Sequence, residues 1–300
     1  MNNVIGLDAG ATHTKVVVWR LGQKVYEASD WPGMNMDLLQ QGQGYEYFRQ
    51  RLGEVINFED YIWVLAIAGL DNEVEVNEAQ VWWRKFLTAN EISFKDIKII
   101  SDIDLVVWAG SQKGVGVGLI AGTGSNCLGI DKSKRRCKVG GMSHLLSDEG
   151  SGFALGWQVL RIVTKMSDGR LPKTGFFKQV LDLYEVKEVV ALKNKLLGSE
   201  NLKAEVARTS QLLIESAGQG DQLASEVIKR EILELVEMVV AVNRQMKEGG
   251  ILPLFVAGSL FKNQYYFENF LSEIRVVYPE QNIERVNPID GVLNYVNSLR

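Results

Sequence analysis

Two short glycine-containing segments of this chain carry residue types that bind phosphate groups. The first runs from Asp8 through Gly10 to Lys15 and follows an apolar, β-branched stretch, as a turn after a buried strand does. Gly10 lets such a turn approach a ligand, and the N–H groups of Ala11 and Thr12, with the Thr12 hydroxyl, can donate to phosphate oxygens. The Asp8 carboxylate would hold Mg²⁺ through water. The same residues also fit an ordinary hairpin in which Asp8 caps its own turn.

The second segment reads Ala-Gly-Thr-Gly-Ser-Asn at residues 121–126. It follows a strand-like run, yet no Gly-Lys-Ser/Thr follows at the spacing of a Walker loop, and no helix opens there as in a dinucleotide site. Gly122 and Thr123 would therefore contact phosphate from a second hairpin. Two such hairpins facing each other would hold a nucleoside triphosphate from both sides, and this arrangement predicts ATP as the cofactor.

The two segments also resemble each other. Residues 6–11, Gly-Leu-Asp-Ala-Gly-Ala, and residues 118–123, Gly-Leu-Ile-Ala-Gly-Thr, agree at four of six positions. Both come at the same stage of a strand-turn-strand unit, and internal repetition favours a duplicated fold. A chance match over six residues is the alternative.

A further acidic position lies between the two segments. Asp102 follows the apolar run of residues 97–100, so it would stand at the carboxyl end of a central strand, where open α/β sheets bind ligands. A carboxylate there can accept the proton of an attacking hydroxyl group, which makes Asp102 the candidate general base. Asp104 is the rival, but it begins the next helix and is more typical of a cap or a first-turn charge.

Polar residues also cluster in the second half of the chain. The glycine-dense segment of residues 140–152 contains Asp148 and Glu149 directly before an amphipathic helix that Ser151 could cap. Capping does not require two carboxylates, and the pair is suited to a polyhydroxyl ligand or a metal-bound water. Further on, Gly258 and Ser259 form a small-residue turn after a strand, against which an adenine and ribose could lie.

Hydrophobic periodicity predicts the elements that position these residues. Three strands within residues 4–28 precede a helix over 45–56, a strand, a helix and a strand ending at 100, which is the order of one ribonuclease-H-like lobe. The second half repeats the three strands and adds helices over 153–166, 176–217 and 221–246; Asp221 would cap the last, and Gly249 and Gly250 would end it. A strand at 252–257, a helix near 266–274, a strand near 275–278 and a helix after Pro288 close the chain.

Composition narrows the function classes. Lys and Arg number 33 against 37 Asp and Glu, a net charge of −4 that is too mild for nucleic acid or an anionic membrane as the main partner. The N-terminus has no signal-like pattern and no stretch approaches the roughly 20 apolar residues of a membrane span, so a cytoplasmic location is expected. Cys127 and Cys137 lack the spacing of a metal site and are predicted to be structural thiols.

Together and in this order, the motifs resemble the N-acetylglucosamine kinase group of the BadF/BadG/BcrA/BcrD ATPase family over nearly the whole chain. The resemblance implies an α/β, duplicated ribonuclease-H-like fold of the actin-like ATPase class, with ATP in a cleft between two lobes. Residues 1–113 would form one lobe and residues 114–300 the other, with the last helix packing back on the first lobe. A homodimer is the family expectation.

The resemblance also implies roles for individual residues. Thr12 and Thr123 would contact the ATP phosphates, Gly258 and Ser259 would lie beside the nucleoside, and Asp102 would be the base. Sugar-contacting positions of the family correspond here to Asn35, Gly124, Ser125, Asn126, Gly141, Met142 and Asp148.

The implied activity is phosphorylation of a hexose or amino sugar at its 6-hydroxyl by Mg²⁺-ATP. The family's aromatic-glycine pair is Met142-Ser143 here and its usual glycine before the acidic pair is Ser147, so the choice among N-acetylglucosamine, glucosamine, glucose and mannose stays open. Two other functions occur on this fold: an ATPase that activates a dehydratase through a cluster bound by dedicated cysteines, and a nucleotide-gated assembly protein such as actin.

Overall fold

The computed structural model describes residues 2–10, 13–34, 60–70, 72–89, 91–246 and 250–299. Ala11, Thr12 and Asn35, and the helix predicted over residues 45–56, lie outside the described residues.

The first sheet has five strands in the order β3-β2-β1-β4-β5. Its strands are β1 (Asn3–Ala9), β2 (His13–Arg20), β3 (Gln23–Pro32), β4 (Tyr61–Ile67) and β5 (Asp96–Ser101). The first three form an antiparallel meander, and β4 and β5 run parallel to β1. Helix α1 (Glu73–Ala89) connects β4 to β5, and helix α2 (Asp102–Gly110) leaves β5 toward the second half of the chain.

The second sheet repeats this topology. Its strands are β6 (Gly116–Ala121), β7 (Ser125–Ile130), β8 (Arg136–Gly140), β9 (Leu254–Ala257) and β10 (Ile283–Arg285). Their order is β8-β7-β6-β9-β10, with an antiparallel meander of the first three and with β9 and β10 parallel to β6. Each strand thus has a counterpart in the first sheet with the same neighbours and direction. The duplication predicted from six residues is confirmed.

Seven helices of the described chain separate β8 from β9. They are α3 (Ser143–Leu146), α4 (Gly152–Ser167), α5 (Gly175–Leu183), α6 (Val189–Leu197), α7 (Leu202–Ala207), α8 (Ser210–Gly218) and α9 (Gln222–Gln245). The predicted caps are confirmed: the N–H of Ala154 donates to Ser151 Oγ at 3.2 Å, and the N–H of Ala224 donates to Asp221 Oδ1 at 3.0 Å. Helix α9 ends at Gln245, before the predicted glycine stop, of which Gly249 lies outside the described residues.

The predicted strand near residues 275–278 is wrong. The segment continues helix α11 (Gln264–Val277), which follows the one-turn helix α10 (Ser259–Lys262), and the last strand lies instead at β10. Val276 and Val277 form a β-branched pair, but Phe270 and Ile274 keep a helical spacing on the buried face. The valines extend that helix on its solvent side, where Val276 is 78% exposed.

A short 3₁₀ turn (Pro288–Asp290) and helix α12 (Gly291–Ser298) end the described chain. Val292 and Val296 of α12 share a buried apolar cluster with Val4 and Val64 of the first sheet and with Leu105 of α2. The last helix therefore closes one face of the first sheet. Among the described residues, no helix combines the length and apolar character that crossing a bilayer requires.

Candidate active site

Asp8 and Asp102 reach the same edge of the first sheet. Asp8 pairs with Ala66 on the parallel strand β4, and Ala66 pairs with Ile100 on β5, so both carboxylates stand where parallel strands end. Burial and the charge of Asp102 raise the pKa of Asp8 to about 7, and the charges of Lys15 and Lys262 oppose that rise. A bound cation would offset the repulsion between the two carboxylates. Mg²⁺ is a suitable cation, because it binds carboxylate oxygens.

The first glycine turn is fixed by backbone hydrogen bonds. The Gly10 N–H donates to the His13 carbonyl at 3.0 Å, and the Met34 N–H donates to the Gly10 carbonyl at 3.1 Å. Lys15, on the strand after the turn, forms an ion pair with Glu27 at 2.8 Å, and Lys15 together with Lys24 lowers the pKa of Glu27 to about 2. The ammonium group of Lys15 is thus engaged by β3 while its charge still acts on Asp8.

The second glycine turn is tied to the start of helix α4. The N–H groups of Gly152 and Phe153 donate to the carbonyls of Gly122 and Thr123 at 2.8 and 3.1 Å. These are N–H groups of the first helical turn, which have no partner inside the helix. The loop and the helix therefore stabilise each other and hold the turn in one conformation.

The predicted nucleoside turn adjoins this loop. Strands β6 and β9 are neighbours, with Ile120 opposite Ala257, and Gly258 follows with φ +109. A Cβ added at Gly258 would lie 2.2 Å from the Ala121 carbonyl oxygen, so a side chain cannot be placed there. Gly122 is close enough that its own added Cβ would lie 3.8 Å from the Ser259 nitrogen. The two turns form one continuous surface.

Asp148 belongs to the same surface on its other side. Its Oδ1 accepts a hydrogen bond from the Ser125 N–H at 2.9 Å, and the Ser125 hydroxyl donates to the Glu149 carbonyl at 2.6 Å. Asp148 is 3% exposed and has φ +72, a strained backbone conformation for a residue other than glycine. Glu231 of α9 supports this turn by accepting the Gly150 N–H at 2.9 Å.

Two buried polar atoms beside Asp148 point to a ligand. Asn126 Oδ1 and Ser147 Oγ have no hydrogen-bond partner within the part of the chain that the structure describes. Gly141 packs against Asn126 so closely that an added Cβ would lie 2.7 Å from the Asn126 Cγ. Buried polar groups without partners call for an explanation, and a polar ligand supplies one. Met142, 58% exposed, follows directly.

Asp104 has a different environment from the one predicted. Ser101, not Asp104, occupies the N-cap position of α2, and Asp104 lies buried in the first turn. Its carboxylate accepts the Ser101 hydroxyl at 2.9 Å and pairs with both terminal nitrogens of Arg136, at 2.6 and 2.9 Å. The prediction of a first-turn charge is correct, but this carboxylate is occupied by a residue of the second sheet. These contacts make Asp104 a poor candidate for the base.

Sequence reasoning missed three cations near these groups. Lys203 of α7 lies 2.6 Å from Asp148 Oδ2, Lys262 acts on Asp8, and Arg136 pairs with Asp104. Lys262 stands three positions after Ser259, which is a weak local signal. Lys203 and Arg136 are far from their partners in sequence, and no local pattern predicts these two ion pairs.

A duplicated two-lobed α/β fold with a glycine turn at the edge of each sheet defines the actin-like class of ATPases and sugar kinases. A candidate N-acetylglucosamine kinase of known structure from Chromobacterium violaceum matches this fold with a TM-score of 0.76 and 16% identity, over 100% of this chain and 99% of that one. The chain belongs to the BadF/BadG/BcrA/BcrD ATPase family, whose model matches residues 5–292.

Two curated relatives are similar in sequence. An N-acetylmuramic acid/N-acetylglucosamine kinase of Clostridium acetobutylicum is 29% identical over 191 residues, which are 62% of this chain and 62% of that protein. The match therefore spans less than two thirds of that relative. An N-acetyl-D-glucosamine kinase of Dictyostelium discoideum is 24% identical over 297 residues, 93% of this chain and 92% of that protein.

Proposed function

We propose that this protein transfers the γ-phosphoryl group of ATP to a hydroxyl group of a hexose or amino sugar, at C6. The observation that supports this most directly is that Asp8 and Asp102 stand at the same edge of the first sheet, where burial and then the charge of Asp102 raise the pKa of Asp8 to about 7. A candidate base for a hydroxyl group and a candidate holder of the metal thus lie at one edge of one sheet. An ATP-hydrolysing assembly protein would not require a base suited to a sugar hydroxyl.

ATP is expected to lie between the two glycine turns. Gly10 with Ala11 and Thr12 on one side, and Gly122 with Thr123 on the other, would hold the phosphates, and Gly258 and Ser259 would lie beside the nucleoside. The continuous surface of the second turn and the Gly258 turn supports this arrangement. Lys15 and Lys262 supply positive charge at the Asp8 edge.

In the reaction, the oxygen of the sugar hydroxyl forms a bond to the γ-phosphorus of ATP, and Asp102 accepts the proton of that hydroxyl. The bond from that phosphorus to the bridging oxygen breaks, and ADP leaves. Asn35, Gly124, Ser125, Asn126, Gly141, Met142 and Asp148 would orient the sugar. Mg²⁺, held by Asp8, would neutralise charge on the phosphates.

Among sugars, we propose N-acetylated amino sugars as the first candidates. Both relatives described above are named for N-acetylglucosamine, and one is also named for N-acetylmuramic acid. Asn126 Oδ1, which has no hydrogen-bond partner among the described residues, is an acceptor that a sugar hydroxyl or amide N–H could satisfy.

Residues 1–113 and 114–300 would move as lobes around the nucleotide, with α12 belonging to the first lobe, and closure would exclude water. The protein would act in the cytoplasm as a homodimer without nucleic acid or membrane partners.

A dehydratase activator on this fold would need reactive cysteines at a shared cluster. Cys127 is fully buried in β7, and burial raises the pKa of its thiol and, less strongly, that of Cys137. Deep burial and a protonated thiol disfavour a ligand shared between subunits. These properties favour the structural role predicted for both thiols.

The first test is ADP release with a panel of hexoses and amino sugars. Sugar-stimulated ADP release is expected, and the Asp102→Asn variant should lose a factor of about 10²–10⁴ in turnover because the proton acceptor is gone. Nucleotide binding, followed with a fluorescent ATP analogue, should stay close to wild type. Asp168→Asn, at an exposed ion pair with Arg170, is the matched control. No stimulation by any sugar would exclude the kinase, and normal turnover of Asp102→Asn would place the base elsewhere.

A further inference from the structure

Lys203 contacts the second glycine turn, and no pattern in the sequence around Lys203 predicts this contact. Its Nζ is 2.6 Å from Asp148 Oδ2, and the side chains of Lys203 and Asp148 are 27% and 4% exposed. A Cβ added at Gly124 would lie 2.7 Å from the Lys203 Nζ and 2.6 Å from Asp148 Oδ1. The ammonium group, the carboxylate and the turn are therefore in mutual contact.

This contact is held from several sides. Helix α7 is capped by Asn201, whose side chain accepts the Ala204 N–H at 3.0 Å. The helix packs on α4 at Gly156, where an added Cβ would lie 2.0 Å from the Val206 carbonyl oxygen. Since α4 also binds the second turn through its first N–H groups, Lys203 approaches Asp148 on a rigid support.

Two other carboxylates of this region have partners of their own. Glu205, on the same helix as Lys203, pairs with Arg208 at 2.7 Å, and Glu231 accepts the Gly150 N–H. The carboxylate that faces Lys203 at the candidate sugar site is that of Asp148. Together the two side chains carry no net charge.

We infer that Lys203 determines which sugars the site accepts, by cancelling the charge of Asp148 and disfavouring a cationic amino sugar. This inference rests on the proposed sugar kinase activity. Without Lys203, a buried carboxylate would attract the ammonium group of glucosamine; with Lys203 in place, that attraction is already satisfied and the approaching cation meets a like charge. A neutral N-acetyl sugar pays no such cost, and the remaining ammonium protons of Lys203 can donate to its oxygens.

The test is the ratio of kcat/KM for glucosamine to kcat/KM for N-acetylglucosamine, at a pH where the glucosamine amine is protonated. Lys203→Gln keeps a hydrogen-bond donor for Asp148 but removes the charge, and the ratio should rise at least about tenfold over wild type. Lys203→Met should shift it in the same direction, and Lys203→Arg should leave it near wild type. Lys229→Met, which breaks an exposed pair with Glu273 in the same half of the chain, is the control and should not move the ratio.

The outcomes separate this inference from the proposed function. If the wild-type protein phosphorylates no sugar, the proposed function fails. If it phosphorylates a sugar and Lys203→Gln leaves the ratio unchanged, the role of Lys203 in specificity is wrong. A raised KM for ATP at an unchanged sugar ratio would overturn the inference as well, because Lys203 would then act on phosphate. Binding of a fluorescent ATP analogue checks that each variant is folded.

Discussion

At the scale of residues, the raised pKa of Asp8 makes the stability of the protein depend on pH. Its carboxylate is partly buried beside a second carboxylate, and its pKa is raised to about 7 by burial and by Asp102, against the opposing charges of Lys15 and Lys262. A carboxyl group with a raised pKa contributes stability below its ordinary pKa, and that contribution is lost as the pH rises through the folded value. Without a bound cation, the ionisation of Asp8 near neutral pH therefore lowers the stability of the native state.

In metal-free protein, Asp8→Asn should be similar in stability to wild type near pH 4 and more stable near pH 8, by up to about 4 kcal/mol. The asparagine stays neutral, so it avoids the cost that the ionised carboxylate incurs in that pH window. Urea unfolding midpoints in the presence of a chelator measure the difference. Mg²⁺ with ADP should then stabilise wild type more than the variant. A difference that does not change with pH would contradict this account.

At the scale of elements, the site depends on how helix α4 meets its neighbours. Its N-terminus binds the second glycine turn, and its middle receives α7 at Gly156, with Thr209 donating to the Gly156 carbonyl at 3.4 Å. A side chain at position 156 would collide with backbone, which cannot move as a flexible side chain does. The glycine thus sets the distance between α4 and α7.

Gly156→Ala is expected to lower the free energy of unfolding by about 1–3 kcal/mol or more, and to raise the KM for sugar by moving Lys203. Gly218→Ala is a matched control, since Gly218 also lies in a helix and, apart from its chain neighbours and its own helix backbone, no described atom lies within 4 Å of its added Cβ. That substitution should be neutral or slightly stabilising. Thermal unfolding and sugar kinetics of both variants test the expectation, and equal effects of the two would disprove it.

At the scale of the molecule, the two halves meet at helix α2, which begins at Asp102. Asp104 of α2 pairs with Arg136 of β8, and α2 also packs under the second sheet, where Val107 and Phe255 share one buried cluster. Asn294 of α12 donates to the Trp108 carbonyl at 2.9 Å. Helix α2 therefore lies between the two sheets and contacts both.

Arg136→Met should lower the free energy of unfolding by about 2–4 kcal/mol, because it leaves the buried Asp104 carboxylate without its partner. Adding Asp104→Asn should recover part of the loss. Arg170→Met removes an exposed pair with Asp168, and a loss under about 1 kcal/mol is expected there. Urea unfolding of the three variants measures these values. If Arg136→Met and Arg170→Met prove equally mild, the pair does not hold the halves together.

Much of this architecture could be predicted from local sequence. Periodicity located most helices and strands, and the repeat between residues 6–11 and 118–123 anticipated two sheets of identical topology. Asp102 was predicted at the end of its strand, and Ser151 and Asp221 were predicted as caps, because these roles depend on neighbours a few residues away. The prediction of a strand near residues 275–278 was wrong, because a pair of β-branched residues can occur both in a strand and on the outer face of a helix.

Tertiary structure decided the contacts between residues that are distant in the chain. Lys203 reaches Asp148 across 55 positions of sequence, Glu231 supports Gly150 across 81, and Arg136 occupies Asp104 across 32. Charge pairing of this kind depends on packing distance and burial, which residue spacing along one element does not encode. The sequence by itself thus determined the fold and the two glycine turns, and packing decided which carboxylates are paired with cations distant in the chain.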